Sequence, residues 1–330
     1  MKLGLIWFTA TGEALAERLR QLSGTKWLIY DKTQGTVRQF VQSRFADCDG
    51  LVFIGAAGIA VRMVAPLLKS KEQDPAVVVL DELGRFVVPI LSGHLGGANE
   101  LAARISAYLG AVPVITTATD VHRKFAVDVW SRKIGAAIGD VSKIKYISRA
   151  VLAGELVGLV SDFPVSGPLP AGIVTDAGLK TGIYVSLSET KRPFPTTLHV
   201  IPRIVTVGVG CRRGTDPQAF EAFVLDTLAR FDISLKAVEK LTSIDLKKNE
   251  ACILNFCDKH KILFETYAAE ELAALSGSFT PSPFVRRAVG VDNVCERSAI
   301  CRNKGTLLVR KQVQNGMTVA VACRRWRCEF

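Results

Sequence analysis

The segment Ser92-Gly93-His94-Leu95-Gly96-Gly97-Ala98-Asn99-Glu100 puts an imidazole, a carboxylate and three glycines into nine residues. An imidazole titrates near neutral pH and can move a proton. The carboxylate of Glu100, in the first turn of a following helix, could orient that imidazole or act as a base. Glycines let a ligand approach the backbone closely. The first N–H groups of a helix lack intrahelical partners, and the dipole there favours an anion. His94 and Glu100 are therefore the catalytic candidates, with Ser92, Gly93, Gly96, Gly97 and Asn99 as binding candidates. A plain strand-to-helix turn, capped by Asn99 and carrying a surface histidine, fits the same spacing. The loop matches neither the Gly-Lys-Ser/Thr of a Walker loop nor Gly-x-Gly-x-x-Gly.

Other segments could line a ligand site. Gly55-Ala56-Ala57-Gly58 and Gly208-Val209-Gly210-Cys211-Arg212-Arg213-Gly214 are glycine turns at apparent strand ends, where open α/β sheets bind ligands. This selects Gly58, Gly208, Gly210 and Arg212. Arg212 and Arg213 could clamp carboxylates through bidentate bonds, or simply face water. Thr116 and Thr117, ahead of Asp120, form either a hydrogen-bonding rim or a polar turn. The charged stretch Ser243–Glu250, taken alone, reads as a solvated loop. His122, His199 and His260 lack companions at ligand spacing and read as structural. Cys211 is a nucleophile or a buried structural thiol.

The elements that must position these residues alternate between strand and helix. Apolar runs at 3–8, 28–30, 50–54, 77–81, 86–91 and 112–115 read as strands, with helices at 12–22, 58–69 and 97–108. That alternation predicts a mostly parallel sheet covered on both faces. Residues 124–153 read as two helices, and short strands near 156–160 and 182–187 lead into a Pro- and Gly-rich stretch ending at Pro202. A second α/β layer begins at Ile204, with a helix after Thr215-Asp216-Pro217. It continues with a strand over Ala251–Asn255, helices at Ala268–Leu275 and from Gly290, and two closing strands. The fold class is therefore α/β: two α/β/α sandwich-type domains with mostly parallel sheets flank a small α+β middle domain. The boundaries are 1–120, 121–202 and 203–330.

With 330 residues, 48% of them hydrophobic, the chain can bury a large core, and no apolar run is long enough for a membrane helix. Seven of the eight cysteines lie in the last 120 residues, and several fall in apolar runs. Reduced, buried thiols of a cytoplasmic protein fit better than a disulfide framework. The Cys252/Cys257 and Cys323/Cys328 spacings do not suit a zinc knuckle, so no metal site is expected. The net charge of +11 asks for an anionic partner or substrate; its dense run through Arg302, Lys304, Arg310, Lys311, Arg324, Arg325 and Arg327 fits a solvated basic tail at least as well as a functional patch. Nucleic-acid modules add an aromatic platform or a recognisable motif, and none is present.

Six segments in order then carry a resemblance. They are Gly55–Arg62, Ser92–Glu100, Pro113–Asp120, Val207–Gly214, Ser243–Glu250 and Val289–Glu296. Together they resemble the cobalt-precorrin-5A hydrolase family of anaerobic cobalamin biosynthesis, over essentially the whole chain. The resemblance implies a cobalt corrinoid substrate bearing many carboxylates and a δ-lactone. It implies opening of that lactone and release of acetaldehyde. The cobalt would arrive with the substrate, so no cofactor is expected. His94 would be the base and Glu100 its partner, while Arg62, Arg212 and Lys247 would hold carboxylates; Ser243, Glu250 and Glu296 join the binding set. The expected partner is the anionic substrate, with no nucleic acid and no membrane; a homodimer and transient contacts with neighbouring pathway enzymes are compatible. The alternative is a non-catalytic tetrapyrrole carrier of the same pathway.

Overall fold

The computed structural model describes every residue except 71–72, 283–285, 288–289 and 304, so Val289 and Lys304 of the sequence reading lie outside the described residues. The chain divides into two compact units, Met1–Trp130 and Ser131–Phe330.

The first unit contains β1 (Lys2–Trp7), α1 (Ala10–Leu19), β2 (Lys26–Ile29), α2 (Val37–Phe45), β3 (Gly50–Ile54) and α3 (Ala57–Val64). It continues with β4 (Ala76–Leu80), β5 (Phe86–Leu91), α4 (Ala98–Leu109), β6 (Val112–Pro113) and α5 (Ala118–Val121). The next helix, α6, spans Val127–Lys133. The strands form one sheet in the order β2-β1-β3-β4-β5-β6. Its strands are apolar on both faces for a simple reason. Val52 and Ile54 of β3 pack with Leu15, Leu19, Leu101 and Ile105 on α1 and α4. Leu51 and Phe53, pointing the other way, pack with Val41, Phe45, Ala60 and Val64 on α2 and α3. Each such side chain contributes about 1.5–3 kcal/mol by leaving water.

One connection decides where the site lies. β4 and β5 are antiparallel, joined by the tight turn at Gly84, whose φ is +65°. A connection this short cannot make the crossover that parallel strands need. The Ser92–Glu100 loop therefore leaves the sheet beside the start of β4, with Leu91 opposite Val77. The Gly55 turn follows the other end, where Ile54 faces Leu80. The two glycine turns do not share one rim of the sheet.

The second unit holds two larger sheets. The first is β10-β8-β11-β12-β7, from β7 (Ala136–Ile138), β8 (Val157–Ser161), β10 (Ile173–Val174), β11 (Thr181–Val185) and β12 (Thr196–Pro202). Only β7 runs against its neighbour; α7 (Ile144–Ala153) packs on this sheet. The second is β15-β14-β13-β17-β16, from β13 (Val205–Gly210), β14 (Val238–Ile244), β15 (Leu263–Tyr267), β16 (Thr306–Gln314) and β17 (Met317–Cys323). Its helices are α8 (Pro217–Arg230), α9 (Ala251–His260), α10 (Ala269–Ala273) and α11 (Cys295–Ile300). β9 (Val165–Ser166) pairs with β18 (Cys328–Glu329), which folds the basic tail back onto the unit.

Two expected elements differ. Ala251–Asn255 is helical, not a strand, because Cys252, Ile253, Phe256 and Cys257 are buried together at helical spacing while Leu254 stays exposed. No helix opens at Gly290, whose φ is +76°; α11 begins at Cys295.

Candidate active site

His94 sits in a web of carboxylates. Its Nδ1 lies 3.0 Å from Asp128 Oδ2, and its Nε2 lies 2.6 Å from Asp120 Oδ2. Asp128 is buried at the start of α6, whereas Asp120, in α5, keeps 37% of its side chain exposed. Asn99 Nδ2 donates to Asp120 Oδ2 at 3.1 Å and to Thr117 Oγ1 at 3.0 Å. Asn99 is therefore a positioning residue of the web and not the helix cap; Gly97 caps α4 in a left-handed conformation.

This arrangement changes the expected chemistry. The Asp128 hydrogen bond, then that of Asp120, raise the His94 ring from its ordinary 6.5 to about 9. At neutral pH the ring is an imidazolium that donates from both nitrogens, so it is a poor general base. The expected pairing with Glu100 is replaced by the two aspartates, which occupy both ring nitrogens, and Glu100 lies on the exposed face of α4. A pH dependence follows. Below about 6.5 the folded and unfolded rings are both protonated and the web stabilises fully. Between 6.5 and 9 only the folded ring keeps its proton, so stability declines, and above 9 the contribution is gone. Urea denaturation across this window should show that slope in the wild type and lose it in His94→Gln.

The glycines serve the loop's own closure. A Cβ at Gly96 would come within 2.4 Å of Ser92 Cβ, and one at Gly93 within 2.8 Å of Asn99 Oδ1. Ser92 adopts a positive φ of +54° and donates through Oγ to Asp74 O. The Ala98 and Asn99 N–H groups donate to Ser92 O and Gly93 O. The expected anion pocket at the start of α4 is thus filled by the loop's own carbonyls.

Of the other first-unit candidates, Thr116, Gly58 and Arg62 are exposed. Gly58 has open space where a Cβ would project.

In the second unit the carboxyl ends of β13 and β14 open on a cavity of about 570 Å³. Gly210, Cys211, Arg212, Arg213, Lys247 and Lys311 line its polar side, and Ile244, Leu246, Val294 and Val313 its apolar side. Arg212 lies across Gly316, where a Cβ would meet its Nε at 2.6 Å. Lys247 pairs with Glu250 at 2.9 Å, and Glu250 also accepts the Gly214 N–H. Cys252 and the Lys247 charge hold the Cys211 thiol below its ordinary range, whereas burial pushes Cys257 up to about 12.

Three expected binding residues are architectural instead. A Cβ on Gly208 would fall 1.9 Å from Cys295 O, so this glycine admits α11 against β13. Ser243 is fully buried and donates to Val209 O. Glu296 is fully buried and accepts from Thr280 N, Thr280 Oγ1 and Lys311 N. Sequence reasoning missed Asp128, which belongs to no motif, and gave Asp120 no catalytic role. The only signal was an acid placed in the first turn of a helix after a lone histidine's loop.

An α/β protein of several mostly parallel sheets, with a carboxylate-flanked imidazolium in one unit and a basic, apolar-floored cavity in the other, is the class these features define. Residues 39–120, 125–202 and 205–322 match the families described as Cobalamin synthesis G N-terminal, Cobalamin biosynthesis central region and Cobalamin synthesis G C-terminus. A Priestia megaterium protein named cobalt-precorrin-5A hydrolase is 34% identical over 307 residues, 87% of this chain and 82% of that protein. One of the same name from Salmonella typhimurium is 32% identical, covering 97% of each chain. A solved Sulfolobus solfataricus structure, described as a homologue of cobalamin biosynthesis protein G, is 22% identical with a TM-score of 0.42, covering 98% of this chain and 97% of that one. The chain belongs to the cobalt-precorrin-5A hydrolase family. Among the described residues no helix is long and apolar enough to cross a membrane.

Proposed function

We propose that this protein is a cobalt-precorrin-5A hydrolase, which opens the δ-lactone of a cobalt corrinoid precursor and releases acetaldehyde. The observation that carries the reading is the full-length match to the Salmonella typhimurium enzyme, at 97% of both chains. The cavity at the ends of β13 and β14 supports it. Arg212, Arg213 and Lys311 carry no ion pair among the described residues and can meet carboxylates, while the apolar floor suits a macrocycle edge.

Water attacks the lactone carbonyl, the ring oxygen leaves as an alkoxide, and the products are a carboxylate and a secondary alcohol. Asp120, the solvent-facing carboxylate on His94, takes the proton from water. The His94 imidazolium, fixed by Asp128, stabilises the charge that develops beside it. The alcohol then loses its proton, the bond to the macrocycle breaks, and acetaldehyde departs. The electron pair passes into the ring system, which takes up a proton. No step needs a cofactor, since the cobalt arrives with the substrate. The eight free thiols favour a reducing compartment, and the cytoplasm is the proposed location.

Incubation of the purified chain with cobalt-precorrin-5A, followed by an acetaldehyde assay, tests the reading. Turnover of acetaldehyde supports it; binding of the corrinoid without acetaldehyde would make the protein a carrier. Arg212→Ala should raise KM about tenfold at little cost in kcat, the loss of one charge-assisted bond formed equally in ground and transition states.

A further inference from the structure

We propose that Cys211, Glu250 and Cys252 form a site for a thiophilic divalent cation, Zn²⁺ or Co²⁺, in the wall of the β13–β14 cavity. The two sulfurs and a Glu250 carboxylate oxygen lie within 4.8 Å of one another. They come from two places that the sheet brings together. Cys211 directly follows β13, and Glu250 and Cys252 bracket the first residue of α9.

The sulfur spacing is the informative distance. Cys211 Sγ and Cys252 Sγ are 3.7 Å apart. A disulfide needs about 2.05 Å. A tetrahedral metal holding both sulfurs at about 2.3 Å would set them about 3.8 Å apart. The pair thus stands at the separation of two thiolates on one metal, with no movement required. The carboxylate is already oriented: Gly214 N–H donates to Oε1 at 2.8 Å and Lys247 Nζ to Oε2 at 2.9 Å. Ligating carboxylates are commonly braced in this way, and each oxygen keeps a lone pair. Two soft sulfurs select Zn²⁺ or Co²⁺ over Mg²⁺ or Ca²⁺. Cys252 is buried behind the site, while Cys211 is half-buried and faces the cavity, which leaves a fourth position open to a small molecule. The three ligands all belong to the second unit and enter none of the steps proposed above.

The test uses the full chain, reduced and stripped with chelator, and titrated with Co²⁺. The expected result is one saturable equivalent. It should show a near-ultraviolet thiolate charge-transfer band and the intense visible bands of four-coordinate Co²⁺, both displaced by Zn²⁺. Cys211→Ser should remove the charge-transfer intensity due to that sulfur and weaken binding at least about tenfold, and Glu250→Gln should weaken it by a similar factor. Cys257→Ser, a buried thiol of the same helix, should leave the titration unchanged, and circular dichroism confirms folding of each variant. A six-coordinate cobalt spectrum would overturn the proposal. So would binding indifferent to both Cys211→Ser and Glu250→Gln, or a Cys211–Cys252 disulfide forming in place of metal uptake.

Discussion

His94→Ala is expected to slow acetaldehyde release by about 10²- to 10³-fold, the range for loss of one group that stabilises developing charge. The substitution removes the cation between two aspartates that now bond to its two nitrogens at 3.0 and 2.6 Å. Asp120 keeps the Asn99 bond to Oδ2 but loses the charged partner on that same oxygen. Buried Asp128 loses the charge that offsets its desolvation, so the variant will also be less stable. His94→Gln separates the two effects, since it restores a hydrogen-bonding side chain without the charge. If stability recovers and turnover does not, the charge itself is what the reaction needs. Single-turnover release of acetaldehyde from cobalt-precorrin-5A, with folding checked by circular dichroism, decides this. Full activity in His94→Ala would remove this web from the mechanism.

Gly208→Ala is expected to destabilise the second unit by about 3 kcal/mol or more, at the upper end for a side chain forced into a packed interior. The added Cβ would stand 1.9 Å from Cys295 O and 2.8 Å from Ala299 N, both backbone atoms of α11. Backbone cannot rotate aside as a side chain does, so the helix itself must move off β13. That shift would also disturb the cavity, because Cys295 and Val294 line it. Gly58→Ala is the contrast: it lies in α3 with nothing within 4 Å, and should stabilise by about 0.5–1 kcal/mol. Urea midpoints of the two variants measured side by side test the difference. A Gly208→Ala protein as stable as wild type would show that α11 can pack on β13 in another way.

The two glycines look alike in the sequence, each in a turn-like apolar context, yet one admits a helix and the other faces open space. The same limit governs Glu296. Its charge suggests a contact with solvent or ligand, but three donors from Thr280 and Lys311 converge on it inside the fold. Local pattern could not reveal this, because the partners lie about fifteen residues away on either side. The Ala251–Asn255 run misled for a different reason. Four apolar residues ahead of Asn255 suit either a strand or one turn of a buried helix, and only the burial of Phe256 and Cys257 breaks the tie.

Much of the Ser92–Glu100 loop was legible along the chain. The alternation of apolar runs located the strand before it and the helix after it, and the six ordered motifs identified the family. The loop's chemistry was not legible there, because it comes from residues that folding brings to it. Asp120 and Asp128 lie 26 and 34 residues beyond His94, at a separation no periodicity encodes, and they convert the expected base into an imidazolium. The glycines that suggested an anion pocket instead let the chain close on its own first helical N–H groups. Hydrogen bonds and charge act through space, and the side chains that set a proton's affinity need not be neighbours along the chain.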